Sequence, residues 1–230
     1  KFDDINWFRG RAFPKLSIPS RNEQLFAQFK RERNIANKSI IAGCFVRSEK
    51  LNNPSFWQLI ARLLEECPDL HFVIASQSLP NLADEYLLSP SFRSKFHHLG
   101  WINTKKVCQY LDIYIDSFPR GSCLTALEAI KAGVPVVMFD TQHNRESSAL
   151  PYLISAAGGK LPPGILGCEN ISSSHEFIRS LILSKSKRML LAKHQSQLLK
   201  SLEGRSALYA KDYLNYFLDT SFSVSEVVSR

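Results

Sequence analysis

Residues 112–139, DIYIDSFPRGSCLTALEAIKAGVPVVMF, constrain the chain more than any other segment. A β-branched run, 113–116, passes through a turn containing Pro119 and Gly121 into a helical stretch, 122–131. That helix stops at Gly133 before a second apolar run, 134–139. Strand, loop, helix and strand in this order predict two neighbouring parallel strands joined by a crossover helix. In a twisted parallel sheet, ligands bind at the carboxyl ends of the strands, where a helix N-terminus turns backbone N–H groups toward an anion such as a phosphate. Ser122, Cys123, Leu124 and Thr125 supply those groups in this reading.

Glu128, the acid of the predicted helix, lies close enough to the helix start to face the same crevice. A carboxylate there can accept hydrogen bonds from a ribose diol. A solvated glutamate that suits the helix dipole has the same spacing, and spacing alone does not choose between the two.

The rest of the chain continues the alternation of strand and helix. Residues 39–46 (SIIAGCFV) form an unbroken apolar run of strand length, the mark of a buried parallel strand. Just beyond it stand Arg47 and Lys50, either solvated loop cations or a pair able to neutralise a diphosphate. Residues 54–67 read as a helix with Pro54 in its first turn and an apolar stripe from Phe56 to Cys67 at helical spacing. A strand at 70–75, a short helix at 82–88 ended by Pro90, and a third strand at 96–99 follow. His97 and His98 are adjacent, so they point to opposite faces of that strand and read as structural histidines. A helix is predicted at 104–111, and a helical stretch running to 157 after the loop Asp140-Thr-Gln-His-Asn-Arg145. His143 in that loop reads as an exposed histidine more readily than as a sugar ligand. Gly158-Gly159 and Pro162-Pro163-Gly164 punctuate a loop. Three helices are predicted at 174–183, capped by Ser174, at 187–202 and at 206–218.

Domain organisation follows from that pass. Residues 1–36 read as a linker or the tail of a preceding domain with a short helix at 23–33, residues 37–200 as an α/β domain, and 201–230 as a C-terminal helix and tail. No uninterrupted apolar run is long enough to span a bilayer. Five scattered cysteines, none paired at zinc-ligand spacing, read as reduced thiols of a cytoplasmic protein. The formal net charge of +8 permits an anionic partner. Nucleic acid is excluded on the dispersal of the basic residues and the absence of a recognised binding module. From 185 to 211 seven Lys or Arg face one acid, Glu203. That stretch reads as a solvated face before a membrane-surface helix, because Leu191, Leu198 and Leu202 are needed for packing, and a peripheral membrane contact stays open.

The string from Asp116 to Glu128, DSFPRGSCLTALE, with Ala132-Gly-Val-Pro135 after it, resembles the donor-binding segment of GT-B glycosyltransferases. It is most similar to the O-linked N-acetylglucosamine transferases and their bacterial relatives. The resemblance implies the C-terminal, donor-binding half of such an enzyme: an α/β, Rossmann-like parallel sheet with helices on both faces. It implies that the loop and helix start at Ser122, Cys123, Leu124 and Thr125 hold the diphosphate of a nucleotide sugar, UDP-linked, and that Glu128 binds the ribose. The family keeps a basic residue before a proline comparable to Pro54 for the β-phosphate, which maps onto Lys50 with Arg47 as its partner. Trp101 and Ile102 fall where GT-B enzymes meet the nucleobase, and Arg145 where an arginine opens the helix near the sugar or phosphate.

The implied activity is hexosyl or N-acetylhexosaminyl transfer from the donor to an acceptor protein or glycan, with an N-terminal partner domain, no cofactor and no metal. The absence of an Asp-x-Asp pair agrees with metal independence. No general base is identifiable. A non-catalytic nucleotide-sugar-binding domain and a nucleotide-sugar epimerase on the same fold are the alternatives. Two places depart from the family pattern. Arg120 stands where many GT-B enzymes carry a glutamate, and Cys123 and Leu124 stand where the N-acetylglucosamine transferases carry a His and Thr pair, leaving Thr125 as the hydroxyl match.

Overall fold

Six parallel strands form one sheet: β1 (Ile40–Phe45), β2 (Leu70–Ala75), β3 (Phe96–His98), β4 (Ile113–Ile115), β5 (Val136–Asp140) and β6 (Ile165–Gly167), in the spatial order β3-β2-β1-β4-β5-β6. This computed structural model describes residues 16, 18–19, 21–168 and 171–219, with backbone alone at 107–109 and 204–219. The helices are α1 (Glu23–Glu32), α2 (Pro54–Glu66), α3 (Asn81–Leu87), α4 (Pro90–Arg93), α5 (Leu124–Lys131), α6 (Gln142–Ser147), α7 (Leu150–Ala156), α8 (Ile171–Leu183) and α9 (Lys185–Asp219). The sheet and the helices around it belong to a compact unit, Leu16–Leu199; the described part of a second unit is the helical stretch 200–219.

Continuous apolar runs become central strands because both faces of the sheet are covered. In β1 successive side chains point to opposite faces, yet every residue after Ile40 is buried. Ala42 and Cys44 join the main apolar cluster with Phe56, Trp57, Ile60 and Leu63 of α2 and Ile178, Leu181 and Ile182 of α8. Ile41 and Phe45 are buried on the other side. Helix α2 begins where it does because Asn53 accepts hydrogen bonds from the Ser55 and Phe56 amides and Pro54 occupies the first turn. Its Trp57, fully buried, donates its indole N–H to the Leu51 carbonyl at 2.8 Å.

The strand order reverses at β1. From β1 the chain moves outward to β2 and β3, then returns to β4 on the opposite side of β1 and continues outward to β5 and β6. The loops leaving the carboxyl ends of β1 and β4 therefore diverge, and a crevice opens between them.

Several local expectations are revised. Residues 162–164 lead into β6, three residues too short to show a strand period, which the pairing of Met138 to Phe139 with Ile165 to Leu166 defines instead. Pro90 starts a one-turn helix, α4, as its fixed φ suits a first turn. The helix expected at 104–111 is a 3₁₀ helix, Thr104–Gln109. Ser174 lies inside α8, not at its start, and donates its hydroxyl to the Gly167 carbonyl. The two last predicted helices are one, α9, because a glycine inside a helix, here Gly204, costs only about 1 kcal/mol relative to alanine. His97 and His98 are structural: His97 Nε2 lies 3.0 Å from His71 Nδ1, and His98 Nε2 lies 3.2 Å from the Ser76 hydroxyl. Burial, with the charge of His71 next, pushes His97 down to about 4.

Gln195 of α9 ties the far side of the sheet together. Its side-chain amide is almost fully buried; Oε1 accepts from the Val136 N–H at 2.8 Å and Nε2 donates to the Val136 carbonyl at 2.7 Å. Gly164, at φ +91°, leaves room for this contact, since a Cβ there would run into the Val136 carbonyl and the Gln195 amide. Gln195→Ala strands a buried N–H and a buried C=O at the first residue of β5. The expected loss is about 1–3 kcal/mol of unfolding free energy in urea titrations, and a loss below about 0.5 kcal/mol would show that the pair is not needed.

Candidate functional site

The crevice between β1 and β4 is built around the loop 116–123. Asp116, immediately after β4, is fully buried. Its carboxylate accepts the Ser117 amide at 3.0 Å and the Ser122 amide at 2.9 Å to each oxygen, closing the loop into a ring. Gly121 has to be glycine, because a Cβ would meet the Asp116 carboxylate and the Asn144 side chain. Asn144 of α6, itself fully buried, accepts the Gly121 amide at 2.5 Å and donates to the Phe139 carbonyl at 2.8 Å. Thr141, which caps α6, donates its hydroxyl to the Pro119 carbonyl at 2.7 Å. Ser117 Oγ donates to the Arg120 carbonyl, and Ser122 Oγ accepts from the Tyr114 hydroxyl at 3.0 Å. The loop is thus anchored from β4 and from α6 and its cap, with Asn144 linking it on to β5.

Lys50 joins this loop from the β1 side. Its ammonium donates to the Gly121 carbonyl at 2.6 Å, which places a cation where the two diverging loops meet. Arg47, from the same loop, is exposed and lies 4.0 Å from Glu49. Burial pushes the Asp116 carboxyl up to about 7, against the opposing pull of the Ser122 and Ser117 amides and the Lys50 charge.

The residues expected to line the site fall into two groups. Ser122, Cys123, Leu124, Thr125 and Glu128 all lie on the loop and helix α5 that it launches. The Ser122 amide is already given to Asp116, whereas α5 itself starts at Leu124 with no side-chain cap, which leaves its first-turn amides without that kind of acceptor. Leu124 is exposed and Thr125 and Cys123 are half-buried. Glu128, one turn into α5, is 2% exposed, and its Oε2 has no hydrogen-bond partner among the described residues. The solvated surface glutamate is therefore excluded.

Arg145 and the Trp101 and Ile102 pair lie on other elements. Arg145 forks onto Asp140 with contacts of 2.6 and 2.7 Å, and holds that carboxyl below its usual range. Trp101 and Ile102 follow β3, two strands away from β1. Trp101 is 77% exposed, so it is not packed against the 3₁₀ helix that follows; Ile102 is half-buried. His143 is exposed. Asp116 and Asn144 are the residues that sequence reasoning missed. The signal for Asp116 was an acid ending an apolar parallel strand before a Pro and Gly loop; Asn144 carried none beyond its place in a polar loop.

This topology recurs in solved structures. An O-GlcNAc transferase mutant of Thermobaculum terrenum matches with a TM-score of 0.61 at 18% identity, over 88% of this chain and 38% of that one. The pneumococcal O-GlcNAc transferase GtfA, in complex with UDP and GlcNAc, matches with a TM-score of 0.59 at 16% identity, over 88% of this chain and 40% of that one. The C-terminal domain of a group 1 family glycosyl transferase of Francisella tularensis matches with a TM-score of 0.57 at 19% identity, over 80% of this chain and 94% of that one. The fold is that of the GT-B glycosyltransferases. This chain spans about two fifths of the length of the two O-GlcNAc transferases with that GT-B fold. No protein-family model matches the chain, and no curated protein does.

The Asp116 ring has a measurable pH signature. A carboxyl raised from 3.8 to about 7 favours the folded state when protonated, so its contribution is full below about pH 4 and drains away as pH rises through 7. Urea unfolding of the wild type and Asp116→Asn across that range should show the wild type's advantage over the variant falling by up to roughly 4 kcal/mol. A difference that is flat or grows with pH would contradict the burial of this carboxylate.

Proposed function

We propose that this chain is the donor-binding half of a metal-independent glycosyltransferase, resembling the C-terminal half of O-linked N-acetylglucosamine transferases, and that it binds a UDP-linked sugar in the crevice between β1 and β4. The observation that carries the proposal is Glu128: a buried carboxylate oxygen without a donor, one turn into the helix that begins at the crevice. A carboxylate kept from water without a partner is costly, and a ribose hydroxyl supplies the missing donor. Support also comes from the pneumococcal relative in fold, whose complex holds UDP and GlcNAc.

In this reading the ring around Asp116 fixes the start of α5 so that the amides at Leu124 and Thr125, with Cys123 and Ser122 beside them, face the diphosphate. Lys50 releases the Gly121 carbonyl and meets the β-phosphate, and Arg47 draws in the same anion from its exposed position. Arg145 adds positive charge near the sugar or phosphate. Trp101 stacks on the base while backbone groups at Ile102 read its edge. The chemistry is attack by an acceptor hydroxyl or amide on the anomeric carbon, with departure of the nucleoside diphosphate. Amide dipoles and cations already in place stabilise the leaving group's charge, so no metal is required. The acceptor, a protein or glycan, and the general base belong with an N-terminal partner domain. A cytoplasmic setting fits such a donor, and no helix among the described residues is long and apolar enough to cross a membrane.

Titration calorimetry with UDP tests the reading. The wild type should bind, and Glu128→Ala should lose about 1–3 kcal/mol, as expected for a charged hydrogen bond formed out of water. Unchanged affinity in a folded Glu128→Ala protein would remove the ribose assignment. Binding without donor hydrolysis or transfer by the longer parent protein would favour the non-catalytic reading, and isomerisation of the donor without acceptor would favour the epimerase.

A further inference from the structure

The elbow between α8 and α9 carries an exposed apolar and basic surface that the proposed donor site does not use. Helix α8 ends at Leu183, and α9 starts two residues later at Lys185. The elbow is fixed from inside. Arg188 donates to the Leu181 and Ile182 carbonyls at 2.7 and 2.9 Å, closing the end of α8, and the Arg188 amide bonds the Ser184 carbonyl. Ser184 Oγ also accepts the Lys187 amide.

In the part of α9 within the sheet unit the buried side chains are Leu191, Gln195 and Leu199, four residues apart along one stripe. That stripe leaves Met189 and Leu190 on the outward side, 63% and 55% exposed, and Leu183 at the elbow is 63% exposed. Lys185, Lys187 and Lys193 surround them, all exposed, and none has an ion pair among the described residues. Residues 177–202 contain no Asp or Glu. Three large apolar side chains left in water amid lysines without ion pairs among the described residues, on a hydrogen-bonded helical elbow, suit a surface that is apolar just beneath a layer of negative charge.

We infer that this elbow docks on an anionic lipid surface, with Leu183, Met189 and Leu190 entering the headgroup boundary and Lys185, Lys187 and Lys193 meeting the phosphates. The contact is peripheral: α9 lies along the interface and its buried stripe stays against the sheet unit. A second protein with an acidic face is a different occupant, and the apolar cluster is what favours lipid, since charge pairing alone needs no exposed Met or Leu. The inference is independent of the donor site.

Co-sedimentation of the full 230-residue chain with vesicles tests it. The wild type should sediment with phosphatidylcholine vesicles containing phosphatidylglycerol, stay in solution with phosphatidylcholine alone, and be released as salt rises. Lys185→Gln, Lys187→Gln and Lys193→Gln together should weaken partitioning roughly 150-fold, at about fivefold for each lysine. Met189→Glu with Leu190→Glu should abolish it while leaving the far-ultraviolet circular dichroism and the UDP affinity of the wild type unchanged. Failure of the wild type to sediment with the anionic vesicles, equal binding to neutral vesicles, or wild-type binding by the folded Glu variant would each overturn the inference.

Discussion

The Asp116 carboxylate, buried at the end of β4 and filled by the amides of Ser117 and Ser122, is the interaction on which the functional end of this molecule depends. It bends the chain back on itself within six residues and so decides where α5 begins. The neighbouring contacts depend on that bend. Gly121 passes close enough to the carboxylate that only hydrogen fits at its Cα, Asn144 takes its amide, and Lys50 takes its carbonyl. A strand order that reverses between β1 and β4 opens a crevice in any such sheet, but the ring determines what the crevice presents. Around the ring stand a helix start, a cation and, one turn along, a buried acid with an unused oxygen.

The cost of that arrangement is local. A buried carboxyl resists ionisation, and an unpartnered carboxylate oxygen at Glu128 forgoes hydrogen bonds that water would supply. The rest of the sheet unit carries this cost through ordinary means: aromatic packing of α2 on β2, both faces of β1 covered, and the side-chain amide of Gln195 serving as an extra rung beside β5. The division is a common one, in which a well-packed scaffold holds a locally unfavourable site in place.

Much of the fold was legible in the sequence because buried parallel strands are unbroken apolar runs. The run 70–75 coincides with β2, and the strand, loop, helix and strand of 112–139 gives β4, α5 and β5. What stayed hidden lacks a period of its own. β6 is three residues long and exists through its pairing with β5, and the continuity of α9 through Gly204 depends on tolerance that no local rule reveals. At the site, residue type and spacing pointed to Lys50, the helix start and Glu128, but left Glu128 open between solvent and crevice; burial settled that it is not solvated. Residue type left Arg47 and Lys50, three residues apart, both open, and the resemblance favoured Lys50; the 3₁₀ turn Ser48–Leu51 brings Lys50 to Gly121 and leaves Arg47 exposed. Asp116 and Asn144 act through backbone groups brought together by folding, which a linear reading does not display.

If the ring is what fixes the start of α5, the amides of Gly121 and Ser122 should be among the slowest to exchange with solvent even though they lie in a loop. Residue-resolved hydrogen exchange measures this directly. The account expects both amides to exchange only through global unfolding, with protection comparable to that of the β1 and β4 amides. Exchange of Ser122 at the rate of an exposed peptide would contradict it, because the Asp116 hydrogen bonds would then not hold the loop closed.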